Sequence, residues 1–114
     1  MTRLLQLGRD DLHLWLTCPD TIGDAPLLAR YRELLTDEER ARVARFVFPR
    51  HRHQGLVARA FVRAVLSRYR DVPPQAWSFC HNKHGRPEIS GPALPGSRLR
   101  FNLSHTDGLM CLGV

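Results

Sequence analysis

The sequence predicts an α+β domain in which helices pack on a mostly antiparallel sheet. Near the start, residues 11–17 alternate leucine with other side chains at a period of two, which is typical of a half-buried strand. In the middle, residues 25–70 repeat apolar side chains every three or four positions, as amphipathic helices do. Toward the end, residues 76–114 contain short apolar runs separated by turn-forming residues. Helices and strands that are segregated along the chain in this way indicate the α+β class.

Length and composition fit a single globular domain. The chain has 114 residues, of which 43% are hydrophobic and 25% are charged, as in ordinary folded proteins. No apolar run approaches the roughly 20 residues that span a bilayer, and the start lacks the features of an export signal. The three cysteines are odd in number and far apart, which argues against a disulfide framework. We therefore expect one domain over residues 1–114, cytoplasmic and without a membrane partner.

The helical region is predicted to open with two helices. The first covers residues 25–35, where Pro26 suits the first turn. The second covers residues 36–48, because Thr36 and Glu39 have the spacing of a capping box.

The longest helix is predicted over residues 51–70, after Pro49 has ended or kinked the preceding one. Its buried face is predicted to consist of Val57, Ala60, Phe61, Ala64 and Val65. At about 100° per residue, four arginines align on the opposite face. They are Arg52, Arg59, Arg63 and Arg70. We interpret that face as solvated, with phosphate contact by one or two of the arginines as the alternative.

The last third is predicted to contain strands joined by loops and a tight turn. In order, it comprises a strand (76–81), a loop (82–89), a Pro/Gly-rich connector (90–97), a strand (98–105), a turn (106–108) and a returning strand (109–114). Gly108 can supply a positive φ in the turn.

The positive charge is concentrated in the helices. Residues 30–70 hold eleven arginines against four acidic residues, whereas the net charge of the whole chain is +6. Such a guanidinium surface favours phosphate or another anion as a partner. Nucleic acid is the weaker interpretation, because acidic residues dilute the arginines and stacking aromatics are few. We expect no nucleic-acid partner.

Two polar motifs could bind a ligand. In "NLSHTDG", Ser104 offers a hydroxyl and His105 an imidazole, which can be cationic beside a phosphate and neutral without one. In "HGRPEI", Gly85 permits close backbone approach, Arg86 offers a fork of donors, and Pro87 stiffens the loop. Each motif alone also fits an ordinary turn.

Other chemistries find little support. Cys80, His81 and His84 superficially suggest zinc ligands, but no second matching pair accompanies them. Ser104 and His105 are neighbours in a strand and so point to opposite faces, which excludes a serine–histidine nucleophile. Walker and dinucleotide glycine patterns are absent from the sequence.

Taken together, the motifs resemble the N-terminal half of the surfactin-type 4′-phosphopantetheinyl transferases. The segments "LTDEERARVARF", "ARAFVRAVLSRY", "HGRPEI" and "FNLSHTDGL" occur in that order and spacing, and the likeness covers residues 10–114. The resemblance implies one half of a pseudo-two-fold fold. It implies an enzyme that moves phosphopantetheine from coenzyme A to a serine of an acyl or peptidyl carrier protein, with Mg²⁺ in the cleft between the halves.

The resemblance also implies site residues. Those that it assigns to the phosphates of coenzyme A or to the same pocket are Arg86, His105, Ser104, Gly85, Pro87, Arg42 and Arg45. One position departs from the family pattern, because Gln54 stands where many relatives have an arginine. Either Arg52 or Arg50 would have to replace that charge.

The family's metal-binding segments, G-x-D-x-E and W-x-x-K-E, are also absent. Glu88 and Asp107 are the nearest acids, and neither matches a family ligand. Phosphoryl transfer needs a divalent cation and a base, so we expect this chain alone to be inactive. It would be a transferase half, whether truncated or complemented by a second chain, or a module that binds coenzyme A without catalysis. An exposed apolar patch near residues 109–112 would then favour self-association.

Overall fold

The computed structural model describes residues 4–92, 99–106 and 108–114. Within these ranges the chain forms three α-helices and five strands. They are β1 (Leu14–Thr17), α1 (Ala25–Leu34), α2 (Asp37–Ala44), α3 (Pro49–Leu66), β2 (Ser78–His81), β3 (Pro87–Gly91), β4 (Asn102–Thr106) and β5 (Leu109–Gly113). Short 3-10 turns precede α1 and β2, at Pro19–Thr21 and Pro74–Ala76. The predicted α+β class is confirmed.

The strands form two antiparallel sheets, one with the order β1–β5–β4 and one made of β2 and β3. Leu112 of β5 pairs with Trp15 on one side and with Leu103 on the other, so these three side chains share the inner face of the larger sheet. Leu112 is fully buried against the end of α3. The inner face of this sheet therefore carries the core.

The outer face of the same sheet is apolar on β1. Leu12, Leu14 and Leu16 are 69%, 64% and 64% exposed, and Leu109 of β5 is 40% exposed. The period-2 alternation of the first strand therefore points Trp15 toward the core and the leucines toward solvent. Trp15 and His13 both hydrogen-bond the hydroxyl of buried Tyr69, at 2.8 and 2.7 Å, which ties β1 to the chain just after α3.

Helix α3 lies between two clusters of buried side chains. One cluster joins α3 to the sheets through Val62, Val65 and Leu66, and the other joins it to α1 and α2 through Leu56 and Ala60. Because α3 is covered from two sides, its buried arc is wider than the stripe predicted from sequence. Val57, Ala60 and Val65 are buried as predicted, whereas Phe61 is only partly buried and Ala64 is exposed.

The bounds of α3 also differ from the prediction of residues 51–70. Pro49 starts this helix and does not end the one before, which already stops at Ala44. Proline suits the first helical position because the backbone donor that it lacks has no intrahelical partner there. The capping box of α2 is confirmed: the Thr36 hydroxyl accepts from the Glu39 amide, and the Glu39 carboxylate accepts from the Thr36 amide.

The loop predicted over residues 82–89 is a hairpin. Its second arm is β3, which pairs with β2 and includes Ser90 and Gly91 from the predicted connector. Pro87 is tolerated because it opens the strand, where a missing N–H costs least. Residues 93–97 of that connector lie outside the described ranges. Gly108 has the positive φ predicted for the last turn, at 79°.

Arg63 contradicts the prediction of a solvated arginine face. Arg63 is only 2% exposed. The guanidinium donates from Nε and Nη2 to Oε1 of Glu39, at 2.8 and 2.7 Å, and from Nη1 to the carbonyls of Pro74 and Trp77, at 2.9 and 2.6 Å. Its Cζ lies 5.1 Å from the centroid of the Phe79 ring. This residue therefore joins α2, α3 and the entry to β2.

Along the described ranges, no helix has both the length and the apolar character needed to cross a bilayer.

Replacing Glu39 with glutamine should lower the free energy of unfolding by roughly 3 kcal/mol, because the buried charge of Arg63 then lacks its counter-ion. Urea denaturation measures the change. Glu33→Gln is the matched control, since Glu33 is exposed on α1. Equal unfolding midpoints for the two variants would contradict the role given to the ion pair.

Candidate functional site

The turn between β2 and β3 is organised by Asn82. The Oδ1 of Asn82 accepts from the amides of His84 and Arg86, at 2.9 and 3.0 Å, and its Nδ2 donates to Glu88 at 3.1 Å. Gly85 closes the turn with a φ of 78°, in the left-handed region that side chains disfavour. The sequence analysis missed Asn82, although an asparagine three residues before a glycine is a recognisable turn signal.

This turn leaves the side chain of Arg86 exposed to solvent, and it holds the carboxylate of Glu88 in a hydrogen bond. The side chain of Arg86 has no hydrogen bond or ion pair within the part of the chain that is described, and the residue is exposed. Glu88 is bonded to Asn82 and lies 3.9 Å from Arg100. Glu88 is therefore a structural partner of the turn. Asp107, the other acid considered from sequence, falls outside the described residues.

Strand β4 divides the second motif between two faces of the sheet. Ser104 pairs with Cys111, and His105 pairs with the buried Met110. Since alternate residues of a strand face opposite ways, Ser104 lies on the outer face with Asn102. His105 lies on the inner face with Leu103, but the residue itself is exposed.

Arg86 and Ser104 line the same cavity, of about 1010 Å³, at the outer side of the sheet. Three further arginines line it as well: Arg9, Arg70 and Arg100. Asn102 also contributes to the wall, so the cavity offers amide and hydroxyl groups beside several guanidinium groups. Such a surface attracts anions.

Two more cavities continue around the hairpin turn. One of about 380 Å³ is lined by Gly85, Arg86 and Pro87 and shares Asn102 with the first. The other, of about 550 Å³, is lined by Pro87 and by Arg42 on α2. The 1010 and 380 Å³ cavities share Arg86 and Asn102 as lining residues, and the 380 and 550 Å³ cavities share Pro87, so this run of three cavities borders the turn.

Five of the seven residues that the family resemblance assigned to one pocket line one or another of these three cavities. They are Arg86, Ser104, Gly85, Pro87 and Arg42.

Two predicted residues stand apart. Arg45 is exposed at the C-terminal end of α2 and lines none of the three cavities. His105 lines none of them either, but it shares its sheet face with Leu103, which lines the 550 Å³ cavity.

Sequence reasoning missed the part that Arg59 plays in the 550 Å³ cavity. Arg59 lines its wall beside Arg42, and Phe79 and Phe101 form an apolar part of the same wall. Burial lowers the pKa of Arg59, the nearby charge of Arg42 lowers this pKa further, and the charge of Glu39 works in the opposite direction. Arg59 stood among the four arginines aligned on one face, so the signal was present, but periodicity alone did not single it out.

The charge missing at Gln54 is not supplied by Arg52. The guanidinium of Arg52 donates to the carbonyls of Phe46 and Val47, at 2.7 and 2.9 Å, and so closes the connection from α2 to α3. Arg50 is exposed in the first turn of α3 and has an interaction of its own.

The acids near these cavities do not fit a magnesium site. Glu39 is bonded to Arg63 and Thr36, Glu38 pairs with Arg42 at 3.4 Å, and Glu88 holds the turn. Among the residues described, no group of three or more potential metal ligands is found. No reaction step through a metal is assigned to these side chains.

Comparison with known proteins gives a consistent result. A family model described as "4′-phosphopantetheinyl transferase, N-terminal" matches residues 25–113. The chain is 34% identical over 110 residues to the 4′-phosphopantetheinyl transferase HetI of Nostoc sp., covering 96% of this chain and 45% of HetI.

Two other relatives match in the same way. The chain is 37% identical over 101 residues to the protein slr0495 of Synechocystis sp., covering 89% of this chain and 39% of that protein. It is 35% identical over 77 residues to a phosphopantetheinyl transferase of Thraustochytrium sp., covering 68% of this chain and 26% of that protein. The chain therefore spans less than half the length of the curated relatives it matches.

Replacing Gly85 with alanine should destabilise the domain by about 1 kcal/mol, because an L side chain is strained at a positive φ. Urea unfolding monitored by circular dichroism gives the difference. Gly23→Ala is the control, since a Cβ at position 23 would meet no atom within 4 Å and its φ is outside the left-handed region. Equal losses in both variants would show that the turn does not require glycine.

Proposed function

Because the chain belongs to the 4′-phosphopantetheinyl transferase family, whose N-terminal domain it matches over residues 25–113, we propose that it supplies the coenzyme A phosphate-binding part of such an enzyme. The observation that carries this proposal is the run of basic cavities around the β2–β3 turn, which Arg86, Ser104 and Arg42 line. In the reaction, a carrier-protein serine attacks a phosphorus atom of coenzyme A. The bond to adenosine 3′,5′-bisphosphate breaks, and the phosphopantetheine remains on the serine.

Arg86 is the principal phosphate ligand in this proposal. A guanidinium can bind a phosphate through two parallel N–H donors, and an exposed one without an internal partner can turn toward it at little cost. Ser104 adds a hydroxyl from the outer face of β4, in the same cavity. Gly85 and Pro87 shape the turn so that the ligand can approach the backbone.

The residues on the α2 side take a second anionic group. Coenzyme A carries a 3′-phosphate and a pyrophosphate on one ribose, so two separate basic sites match its charge. Arg42 faces this group from α2, with Arg45 at the rim. His105 contributes from the inner face of β4, the face that it shares with Leu103 of the 550 Å³ cavity.

The chain by itself does not transfer phosphopantetheine in this proposal. Phosphoryl transfer needs a divalent cation to neutralise developing charge and a base to take the serine proton. The acids described near the cavities are already hydrogen-bonded within the chain: Glu38 and Glu39 to arginine side chains, Glu88 to Asn82, and Asp11 to the amide of Gly8. Those tasks therefore fall to groups outside the described residues, in the manner of a two-half enzyme.

The partners follow from this role. They are coenzyme A, an acyl or peptidyl carrier protein, and either a complementing half or a second copy packed on the outer leucines of β1. Leu12, Leu14 and Leu16 form an exposed apolar surface for that contact. Leu12 and Leu14 also line the 1010 Å³ cavity, so such a partner would close one side of it. Sedimentation at high concentration tests this contact. If it finds only monomers, both with and without a complementing half, the proposed contact through the leucines is wrong.

A second candidate function is binding without catalysis. The same basic cavities favour this function, because binding of coenzyme A does not require the carboxylates that hold a metal ion for catalysis. A transfer assay to which a complementing half is added separates the two functions, because only the transferase half predicts modification of the carrier protein.

Coenzyme A should bind at least about tenfold more tightly than dephospho-coenzyme A, since charged hydrogen bonds contribute roughly 1.5–3 kcal/mol. Arg86→Gln should remove most of this difference. Isothermal titration calorimetry measures both dissociation constants. Arg30→Gln is the control, because Arg30 is exposed on α1, away from the cavities. Equal affinity of the unaltered chain for the two ligands would refute the phosphate role.

The purified chain with Mg²⁺ and coenzyme A should leave an apo carrier protein unmodified. Mass spectrometry of the carrier would reveal an added phosphopantetheine. A full-length relative such as HetI serves as the positive control. Modification of the carrier by this chain alone would overturn the assignment of the metal and base to other residues.

A further inference from the structure

The buried ion pair places two basic side chains next to each other. Glu39 on α2 contacts Arg63 on α3 at 2.7 Å. Arg42 follows Glu39 by three residues, and Arg59 precedes Arg63 by four, which are the spacings of neighbours on a helix surface. The contact between the helices therefore brings Arg42 and Arg59 to the same cavity, of about 550 Å³.

Arg59 is poorly paired for a guanidinium that is partly withdrawn from solvent. Its one hydrogen bond within the described part of the chain runs from Nη1 to the carbonyl of Gly55, at 3.4 Å. Arg63 on the same helix, by contrast, makes short bonds with every nitrogen of its side chain. A guanidinium has five donors, so Arg59 can bind an incoming anion with most of them.

The nearby acids leave the positive charge of the cavity wall in place. Glu39 is bonded to Arg63 and to Thr36. The pair of Glu38 and Arg42 is long, at 3.4 Å, and its side chains are 83% and 57% exposed. Such a surface pair contributes little, so Arg42 can exchange Glu38 for a ligand.

The remaining wall of the cavity is apolar. Phe79 and Phe101 pack edge to face with centroids 5.6 Å apart, and Leu103 continues this surface. A volume near 550 Å³ falls within the range of small-molecule sites. A cavity lined by both guanidinium groups and aromatic rings suits a ligand that joins phosphates to a planar ring.

We propose that Arg59 and Arg42 together form an anion subsite that takes a phosphate or pyrophosphate group of the nucleotide. This inference rests on the proposed function for the identity of the ligand. Arg59 does not stand in for Gln54, because the two are five residues apart on α3 and so lie on different sides of that helix.

The test is a titration of the full chain with coenzyme A and, separately, with inorganic pyrophosphate. Arg59→Gln should weaken binding of both at least about tenfold, as expected when a charged hydrogen-bonding group is lost. Arg59→Lys keeps the charge but loses the paired N–H donors of the guanidinium. Its affinity for both probes should lie between those of Arg59→Gln and the unaltered chain. Arg30→Gln, on the exposed side of α1, should bind as the unaltered chain does.

A second measurement needs no variant. Phenylglyoxal modifies accessible arginines, and mass spectrometry locates the modified sites. Saturating coenzyme A should protect Arg59 and Arg42 and leave Arg30 reactive. Equal modification of Arg59 with and without the ligand would overturn the subsite even if Arg59→Gln failed to fold.

The outcomes separate this inference from the proposed function. If the unaltered chain binds coenzyme A and Arg59→Gln binds it equally well, the subsite is wrong and the proposed function stands. If the chain binds pyrophosphate but not coenzyme A, and Arg59→Gln loses that binding, the subsite stands and the proposed function fails. Binding of neither probe contradicts both.

Discussion

The buried guanidinium of Arg63 is the constraint on which the arrangement of this domain depends. A charge withdrawn from water must be compensated by a counter-ion and by hydrogen bonds, or folding becomes unfavourable. Arg63 finds its counter-ion on α2, in Glu39, and its remaining acceptors at the carbonyls of Pro74 and Trp77 before β2. Satisfying one side chain therefore fixes the positions of two helices and of the hairpin that follows them. The contact between α2 and α3 places Arg42 and Arg59 at the same cavity.

The alternation of strand β4 is a second constraint on the site. Ser104 and His105 are adjacent in sequence but belong to opposite faces of the sheet, because successive residues of a strand point opposite ways. Arg86 lies with Ser104 in the outer cavity, and the α2 side carries Arg42 and Arg59. A ligand that contacts all four of these residues must therefore extend around the edge formed by β4 and the β2–β3 turn. A nucleotide with phosphates at two positions of its ribose has a suitable distribution of charge.

Local signals in the sequence predicted the features that are local in the structure. The capping box of α2 and the positive φ of Gly108 depend on residues within one turn, and both were predicted. The family resemblance named five residues that line the cavities, which are Arg86, Ser104, Gly85, Pro87 and Arg42. The burial of Arg63 could not be predicted in the same way, because its partners are 24, 11 and 14 residues distant along the chain. The start of α3 was misjudged because Pro49 is compatible both with ending one helix and with starting another. Strand β3 was missed because a short arm of a hairpin gains its stability from pairing with β2, which periodicity does not report.

The central claim is that the residues on the two sides of the β2–β3 turn bind one ligand together. It is tested most directly by nuclear magnetic resonance, following the Nε–H signals of the arginine side chains during a titration with adenosine 3′,5′-bisphosphate. The account predicts that the signals of Arg86 and Arg42 shift together and saturate at the same ligand concentration. Saturation of only one of them, with the other unmoved up to the solubility limit of the ligand, would contradict it.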